Sequence, residues 1–414
     1  MEHTDFLIYS AKEPMEIVRR KFNQGENLYK ESPNSVTFEE AFKDISYVQY
    51  VMEQAYSGYT YFEKALFDGA FAAMEQDLRS HAKDIHVTDM IDIISNRLSF
   101  INDGHLSLTT KEYAKGFYKK TQTYIADIQL DEIDGKYIDV SQGKRVYLGC
   151  DLSLFPTISL GDNRTFLVGK RSKELIEQIE LKVEVETEKF PVHKIKSKEI
   201  GAEVLIQEEY DEEIAYITCS SFVGDSRDDY KKIRKIEERC RKYKNVIWDL
   251  SNNLGGNSEF PKQFLLGLNG SCIDTSNILE LRSSLVHAKE YGELKEVPYH
   301  FEHCAIKETA KHDLFAGTLH VIINDRVASS AENAITMAAS MKNVIFYGCN
   351  SMGIGRFGDL CAYYLPNSKM ILWCPQKVFE SSSEETMGYE PDIWVDSSDV
   401  ISIVKRKIQA NDKS

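Results

Sequence analysis

The stretch "INDRVASSAENAITMAAS", Ile323 to Ser340, carries an apolar strand into two adjacent serines and then into a helical pattern. A serine hydroxyl is a weak nucleophile at neutral pH, and its attack on a carbonyl leaves an oxyanion. The free amides and positive potential of a helix N-terminus suit both needs. The same residues, Ser329-Ser330-Ala331-Glu332, also fit a capping box, in which the first hydroxyl accepts from the N3 amide and the glutamate reaches back. Thr37-Phe38-Glu39-Glu40 repeats that spacing where nothing else suggests chemistry. The local pattern leaves nucleophile and cap both open. A second turn, "WDLSNNLGGN", ends a buried strand and opens the next helix with Gly255 and Gly256. Paired glycines let the backbone approach a ligand and aim its N–H groups at an anion, or else serve a tight turn with positive φ.

These turns need elements to hold them. From about residue 213 onward strands and helices alternate: "EIAYITCSSF", "NVIWDL", "TLHVIIND" and "NVIFYG" read as strands, with "DDYKKIRKIEERCRKYK", "EFPKQFLLGL" and the segment after Ala328 as helices. Alternation of this kind predicts an α/β core with at least part of its sheet parallel, and sites in such cores gather where strands run into helices. Residues 12–100 read as helical: Phe38, Phe42, Ile45, Val48 and Met52 form one apolar stripe, and "VTDMIDIISNRLSFI" a second helix starting at Thr88 or Asp89. Between about 106 and 210 short β-type runs ("QTYIADIQL", "GKYIDVS", "RTFLVG", "LKVEVETE") are broken by Asp-Gly, Gln-Gly and Gly-Asp turns. The expected division is a helical domain over 1–105, a β-rich middle domain over 106–212, and an α/β core with a C-terminal helix over 213–414.

Composition narrows the partners. Lys+Arg 50 against Asp+Glu 65 gives a net charge of −15, which opposes nucleic-acid binding. No stretch approaches the ~20 apolar residues that span a bilayer. The start lacks a basic segment followed by a long apolar run, so a cytoplasmic protein is expected. The eight cysteines are scattered without a C-x-x-C pair, as for reduced buried thiols. His300, His303 and Cys304 lie together in "YHFEHCA" but have no second cluster, so neither metal nor cofactor is expected.

Taken together, the turns resemble a known arrangement. "NVIWDLSNNLGGN" is similar to the strand-and-glycine motif of the C-terminal processing (tail-specific) and tricorn-type serine peptidases. "HVIINDRVASSAEN" resembles their nucleophile segment, "NVIFYGCNSMGIG" the following strand and Gly-rich turn, and "GYEPDIWV" the closing Gly-x-x-Pro-Asp strand. The resemblance covers about 213 to 396, in the family's order, and implies a crotonase-like spiral of ββα units. It implies Ser329 as the nucleophile, three positions before Glu332, with the Ser330 amide and that of Gly255 or Gly256 as the oxyanion hole. Where one branch of the family carries a lysine base, this chain reads Gly353-Ile354-Gly355, and the neighbouring Arg356 stays protonated. The tricorn-like branch takes a histidine from a motif resembling Asp-x-His-Thr/Ser, and "NDGHLSL" supplies His105. A histidine near its reference pKa suits a general base. The resemblance further implies Glu385 as the acid that orients His105, with Glu380, Glu384 and Glu390 as nearby alternatives. Gly104 stands where that branch places a relay serine, so the contact would need water or a direct Glu–His bond.

The resulting expectation is a serine peptidase of tricorn-like chemistry acting on a peptide or protein, with no nucleic-acid or membrane partner. The rivals are a catalytically silent member that binds a peptide or small apolar ligand, and an esterase or amidase using the same groups. The middle domain lacks a Gly-Leu-Gly-Phe-like carboxylate loop and is expected to be a divergent PDZ-like or unrelated β domain.

Overall fold

Thr37 stops an extended segment and starts a helix, and the elements that follow can be traced from that point in the computed structural model. It describes residues 19–20, 32–59, 61–80, 84–158, 163–224, 227–273, 278–282, 299–300, 307–309, 314–379 and 385–411. The chain divides into two units, one of residues 1–119, 276–305 and 354–386, the other of residues 120–275, 306–353 and 387–414. The result is a multi-domain protein of mixed α/β class.

In the first unit, α1 (Phe38–Gln54), α2 (Lys64–Ser80) and α3 (Val87–Arg97) follow one another. The Thr37 hydroxyl accepts from the Glu40 amide at 3.3 Å and the Glu40 carboxylate accepts from the Thr37 amide at 2.9 Å, a complete capping box. Ile45, Val48 and Met52 of the expected stripe are buried, while Phe42 remains exposed and stacks on Phe38. α3 begins one residue earlier than its pattern suggested, because Ile85–His86 pairs with Ser35–Val36 and the helix starts where that pairing stops. The core of this unit joins Val48, Leu78, Ile91 and Ile94 of the helices to Leu108, Tyr363 and Cys374 of a sheet. In that sheet Ile371–Phe379 is central, pairing with Phe357–Tyr364 on one side and with Ser107–Thr109 and Ile278–Arg282 on the other. His105 thus stands two residues before the strand Ser107–Thr109.

The second unit is organised by five parallel strands: β1 (Ile214–Thr218), β2 (Asn245–Asp249), β3 (Thr318–Ile323), β4 (Val344–Gly348) and β5 (Ile393–Trp394), adjacent in that order. Both faces of a parallel sheet must be covered, and here α4 (Arg227–Cys240), α5 (Glu259–Asn269), α6 (Ser330–Ala339) and α7 (Val400–Asn411) accompany it. One face gives a core of Trp248, Phe264, Val321 and Ala334, the other a core of Ile247, Ile322, Tyr347 and Val404.

Past β5 the sheet continues through Ser153–Thr157 into antiparallel strands. Five of these close into a ring: Gln122–Ile133, Lys136–Asp139, Arg145–Tyr147, Gln178–Val183 and Glu186–Lys194, the last pairing back onto the first. The run "LKVEVETE" is not one strand but spans a hairpin, turned at Glu184 with φ +52°.

Candidate active site

The second unit brings the two singled-out turns together. β2 ends at Asp249, a fully buried carboxylate that accepts from the Lys198 ammonium at 2.6 Å, the Tyr216 hydroxyl at 2.7 Å and the Ser251 amide at 2.9 Å. Two asparagines follow. The Asn252 amide donates to Asn324 Oδ1 at 3.0 Å and Asn324 Nδ2 returns to Asn252 Oδ1 at 3.1 Å, tying the end of β2 to the end of β3. Asn253, with no exposed surface, accepts from the Gly255 amide through Oδ1 (2.8 Å), donates from Nδ2 to the Cys219 carbonyl (2.8 Å) and accepts from the Ala328 amide through its own carbonyl (3.0 Å).

Gly255 and Gly256 sit at φ +99° and +130°. A Cβ at Gly255 would lie 2.9 Å from the Ser329 Cβ and from the Ser330 nitrogen, and one at Gly256 would lie 2.5 Å from the Phe222 carbonyl. Both positions therefore demand glycine, for contact as well as conformation. The Gly255 N–H is already donated to Asn253, whereas the Gly255 carbonyl accepts from the Phe222 amide at 2.9 Å. In a trans peptide the Gly256 N–H points opposite to that carbonyl, away from Phe222.

Ser329 lies at φ +54°, ψ −125°, a conformation that a residue with a Cβ adopts at a cost of about 1–3 kcal/mol. It opens α6 without a side-chain cap, so the capping reading of this serine does not hold. The reason is visible in Glu332. This buried carboxylate turns away to accept from the Ser351 hydroxyl and from the Gly353 amide at 2.8 Å, anchoring the Gly-rich turn instead. The Ser330 hydroxyl is engaged as well, donating to the Gly256 carbonyl at 2.7 Å and accepting from the Ser258 hydroxyl at 2.9 Å.

The first unit holds the Asp103-Gly104-His105 loop and Glu385. Asp103 is fully buried. One carboxylate oxygen accepts from the His105 and Leu106 amides at 2.8 and 3.3 Å, the other from the Tyr56 hydroxyl at 2.9 Å. Burial pushes its carboxyl up to about 7, against the opposing pull of those hydrogen bonds. Burial likewise pushes His105 down to about 4, so the ring is neutral across the physiological range. Its Nδ1 is buried and has no hydrogen-bond partner among the described residues.

Glu385 accepts from the Gly104 amide at 3.3 Å and from the Arg356 amide at 3.2 Å, while its carbonyl accepts from Asn102 Nδ2 at 3.3 Å. It bonds the main chain beside the histidine, not the ring. A Cβ at Gly104 would fall 1.9 Å from the Ile354 Cγ2, so the space of a relay side chain is filled by isoleucine. Of the other acids, Glu390 pairs with Arg171 at 2.9 Å in the second unit, and Glu380 and Glu384 lie outside the described residues. His303 and Cys304 also lie outside them, as does the side chain of His300; no cluster of three or more His, Cys, Asp or Glu that could hold a metal occurs among the described residues.

Sequence reasoning passed over Asn253, Asn324 and Tyr56. The spacing Asn-x-Gly, a potential Asx turn, was a signal for Asn253. Tyr56 meets Asp103 across 47 positions of sequence, and no local pattern points to it.

Comparison with known proteins supplies the rest. No curated protein matches the chain. A putative peptidase from Parabacteroides merdae is similar in structure, with a TM-score of 0.50 at 12% identity over 90% of this chain and 97% of that one. Mature CPAF is similar with a TM-score of 0.51 at 11% identity, over 90% of this chain and 96% of its own. At such identities these likenesses establish a shared fold. The sequence profile of Peptidase family S41 matches residues 213–395, the span from the start of β1 to the end of β5 that contains both glycines and Ser329. Over residues 213–395 the chain is therefore similar to peptidase family S41, a likeness that supports a serine-type peptidase.

Proposed function

We propose that this protein hydrolyses peptide bonds with Ser329 as nucleophile, His105 as general base and the Ser330 and Gly256 amides as oxyanion donors, in the manner of the histidine-using, tricorn-like branch of the family. The observation that carries the reading is the strained, uncapped Ser329 packed against Gly255. A hydroxyl used as a cap would not need that backbone, whereas strain at a reacting residue is a device of functional sites. Between the two glycines, the engaged Gly255 amide favours Gly256. Ser329 Oγ adds to the scissile carbonyl carbon and its proton passes to His105. The proton then leaves with the amine, and water hydrolyses the acyl-enzyme. Glu385 steadies the loop that carries the histidine. A crotonase-like ββα spiral for the core belongs to the same reading.

One observation favours the silent binder instead: His105 Nδ1 has no acid against it among the described residues. A fluorophosphonate probe separates the two. Covalent labelling mapped to Ser329, lost in both Ser329→Ala and His105→Ala, is the expected result. A folded wild-type chain that resists the probe and leaves peptides intact would refute the peptidase reading. Faster turnover of simple esters than of any peptide would move it to the esterase class.

A further inference from the structure

We infer that Asp103 and Tyr56 are the positioning residues of the His105 loop, the carboxylate clamping the main chain around the histidine and the tyrosine hydroxyl holding the carboxylate in place. The inference rests on the proposed role of His105 and extends it to two residues with no assigned part. A carboxylate taken wholly out of water is costly unless each oxygen is satisfied. Here Oδ1 takes the His105 and Leu106 amides and Oδ2 the Tyr56 hydroxyl. The core of this unit is otherwise apolar, with Met52, Ile101, Leu106 and Leu372 among its buried members. Two amides on one carboxylate oxygen fix the direction in which the chain leaves Gly104. Glu385 holds the Gly104 amide from its other side. The loop is thus gripped by two acids at three consecutive amides, which fixes the main chain from which the imidazole projects.

The clamp is strong only while the Asp103 carboxylate is charged, since charge-assisted hydrogen bonds are roughly twice as strong as neutral ones. The titratable groups facing the pair are the His105 ring, Cys374 and Glu385, and burial keeps both the His105 ring and the Tyr56 hydroxyl neutral near pH 7. Burial holds the Asp103 carboxyl near 7, and the tyrosine bond pulls it lower than burial alone would leave it. Protonating Asp103 therefore loosens the loop at a pH where His105 itself is still neutral. The acid limb of the kcat/KM profile should report Asp103, not the base.

The test is a pH–rate profile of three full-length proteins, with amide hydrogen exchange of the segment 103–108 followed in parallel. Wild type should lose activity with a midpoint near pH 7. Asp103→Asn should lower kcat/KM at high pH on the order of 10- to 100-fold, as a small misplacement of a catalytic group does. Its profile should be flat across that midpoint, and its segment should exchange faster. Tyr56→Phe removes a bond that lowers the carboxyl, so its acid limb should move to higher pH. Should Asp103→Asn fail to fold, the direction of the Tyr56→Phe shift decides alone. An unmoved limb in Tyr56→Phe, or wild-type exchange of segment 103–108 in a folded Asp103→Asn, would overturn the inference. Failure of the underlying role is read separately: undiminished hydrolysis by His105→Ala would remove the histidine as base while leaving the exchange result intact.

Discussion

Thr37-x-x-Glu40 and Ser329-x-x-Glu332 have the same spacing of hydroxyl and glutamate at a helix start, and the chain uses them for opposite ends. At Thr37 the backbone is extended (φ −68°, ψ 162°) and both halves of the box form. At Ser329 the backbone is left-handed in φ, the hydroxyl caps nothing, and the glutamate is bonded elsewhere. Competition explains the difference. Among the described residues, the hydrogen bonds to the Glu40 carboxylate come from Thr37 alone. Around α6 the Val327 carbonyl takes the Met352 amide, the Ala328 amide goes to Asn253, and Glu332 finds two donors in the Gly-rich turn. The spacing offers a cap, and the fold decides whether the offer is taken. A hydroxyl freed from capping, on a backbone held under strain, is what a nucleophile requires.

Matched substitutions at the two turns test this directly, and the largest effect belongs to Ser329→Ala. Peptide hydrolysis should fall by about 10⁴- to 10⁶-fold, the loss of a triad nucleophile, with no change in the urea midpoint because no cap is lost. Thr37→Ala should do the reverse, costing ~1 kcal/mol of stability while turnover is kept. If Ser329→Ala lowers stability as much as Thr37→Ala does, the contrast between the turns is broken.

Next in size is Glu332→Gln. Its buried carboxylate accepts two hydrogen bonds, so the neutral side chain should cost ~2 kcal/mol in urea unfolding, typical of hydrogen bonds to a charged group. Ser329→Gly should then act in the opposite direction. Releasing a left-handed φ at a residue with a Cβ should raise stability by ~1 kcal/mol while hydrolysis is lost. Loss of both stability and activity would show that the Ser329 side chain packs structurally.

Much of this frame was legible before any coordinates. The alternation of apolar runs and helical stripes gave β1 to β4 and the helices between them, since period and length are written locally. The paired glycines and the small-residue turn after Ile323 were visible for the same reason. The fate of Glu332 was not, because its partners Ser351 and Gly353 lie about 20 positions away and act through one hydroxyl and one amide. Nor was the Tyr56–Asp103 contact, which joins the end of α1 to a loop beyond α3. The hairpin at Glu184 was missed because a non-glycine residue occupies the left-handed turn position. Spacing reports which bonds are available, and long-range competition reports which are made.

The smallest expected effect is the most discriminating for the Thr37 turn. The Glu40 carboxyl is held below its usual value by the Thr37 amide and hydroxyl, with Lys43 adding a little. A carboxyl depressed in the folded state contributes stability above its unfolded pKa of 4.5 and loses that contribution as the pH falls through the lower folded value. The thermal midpoint of Glu40→Gln should therefore lie slightly below wild type at neutral pH, since surface carboxylates of this kind are screened. The gap should close on acidification, once the wild-type carboxyl is protonated and the two side chains are both neutral. A gap that stays constant through the acid range would show that the charge on Glu40 has no part in the box. The contrast with Ser329 would then rest on the hydroxyl alone.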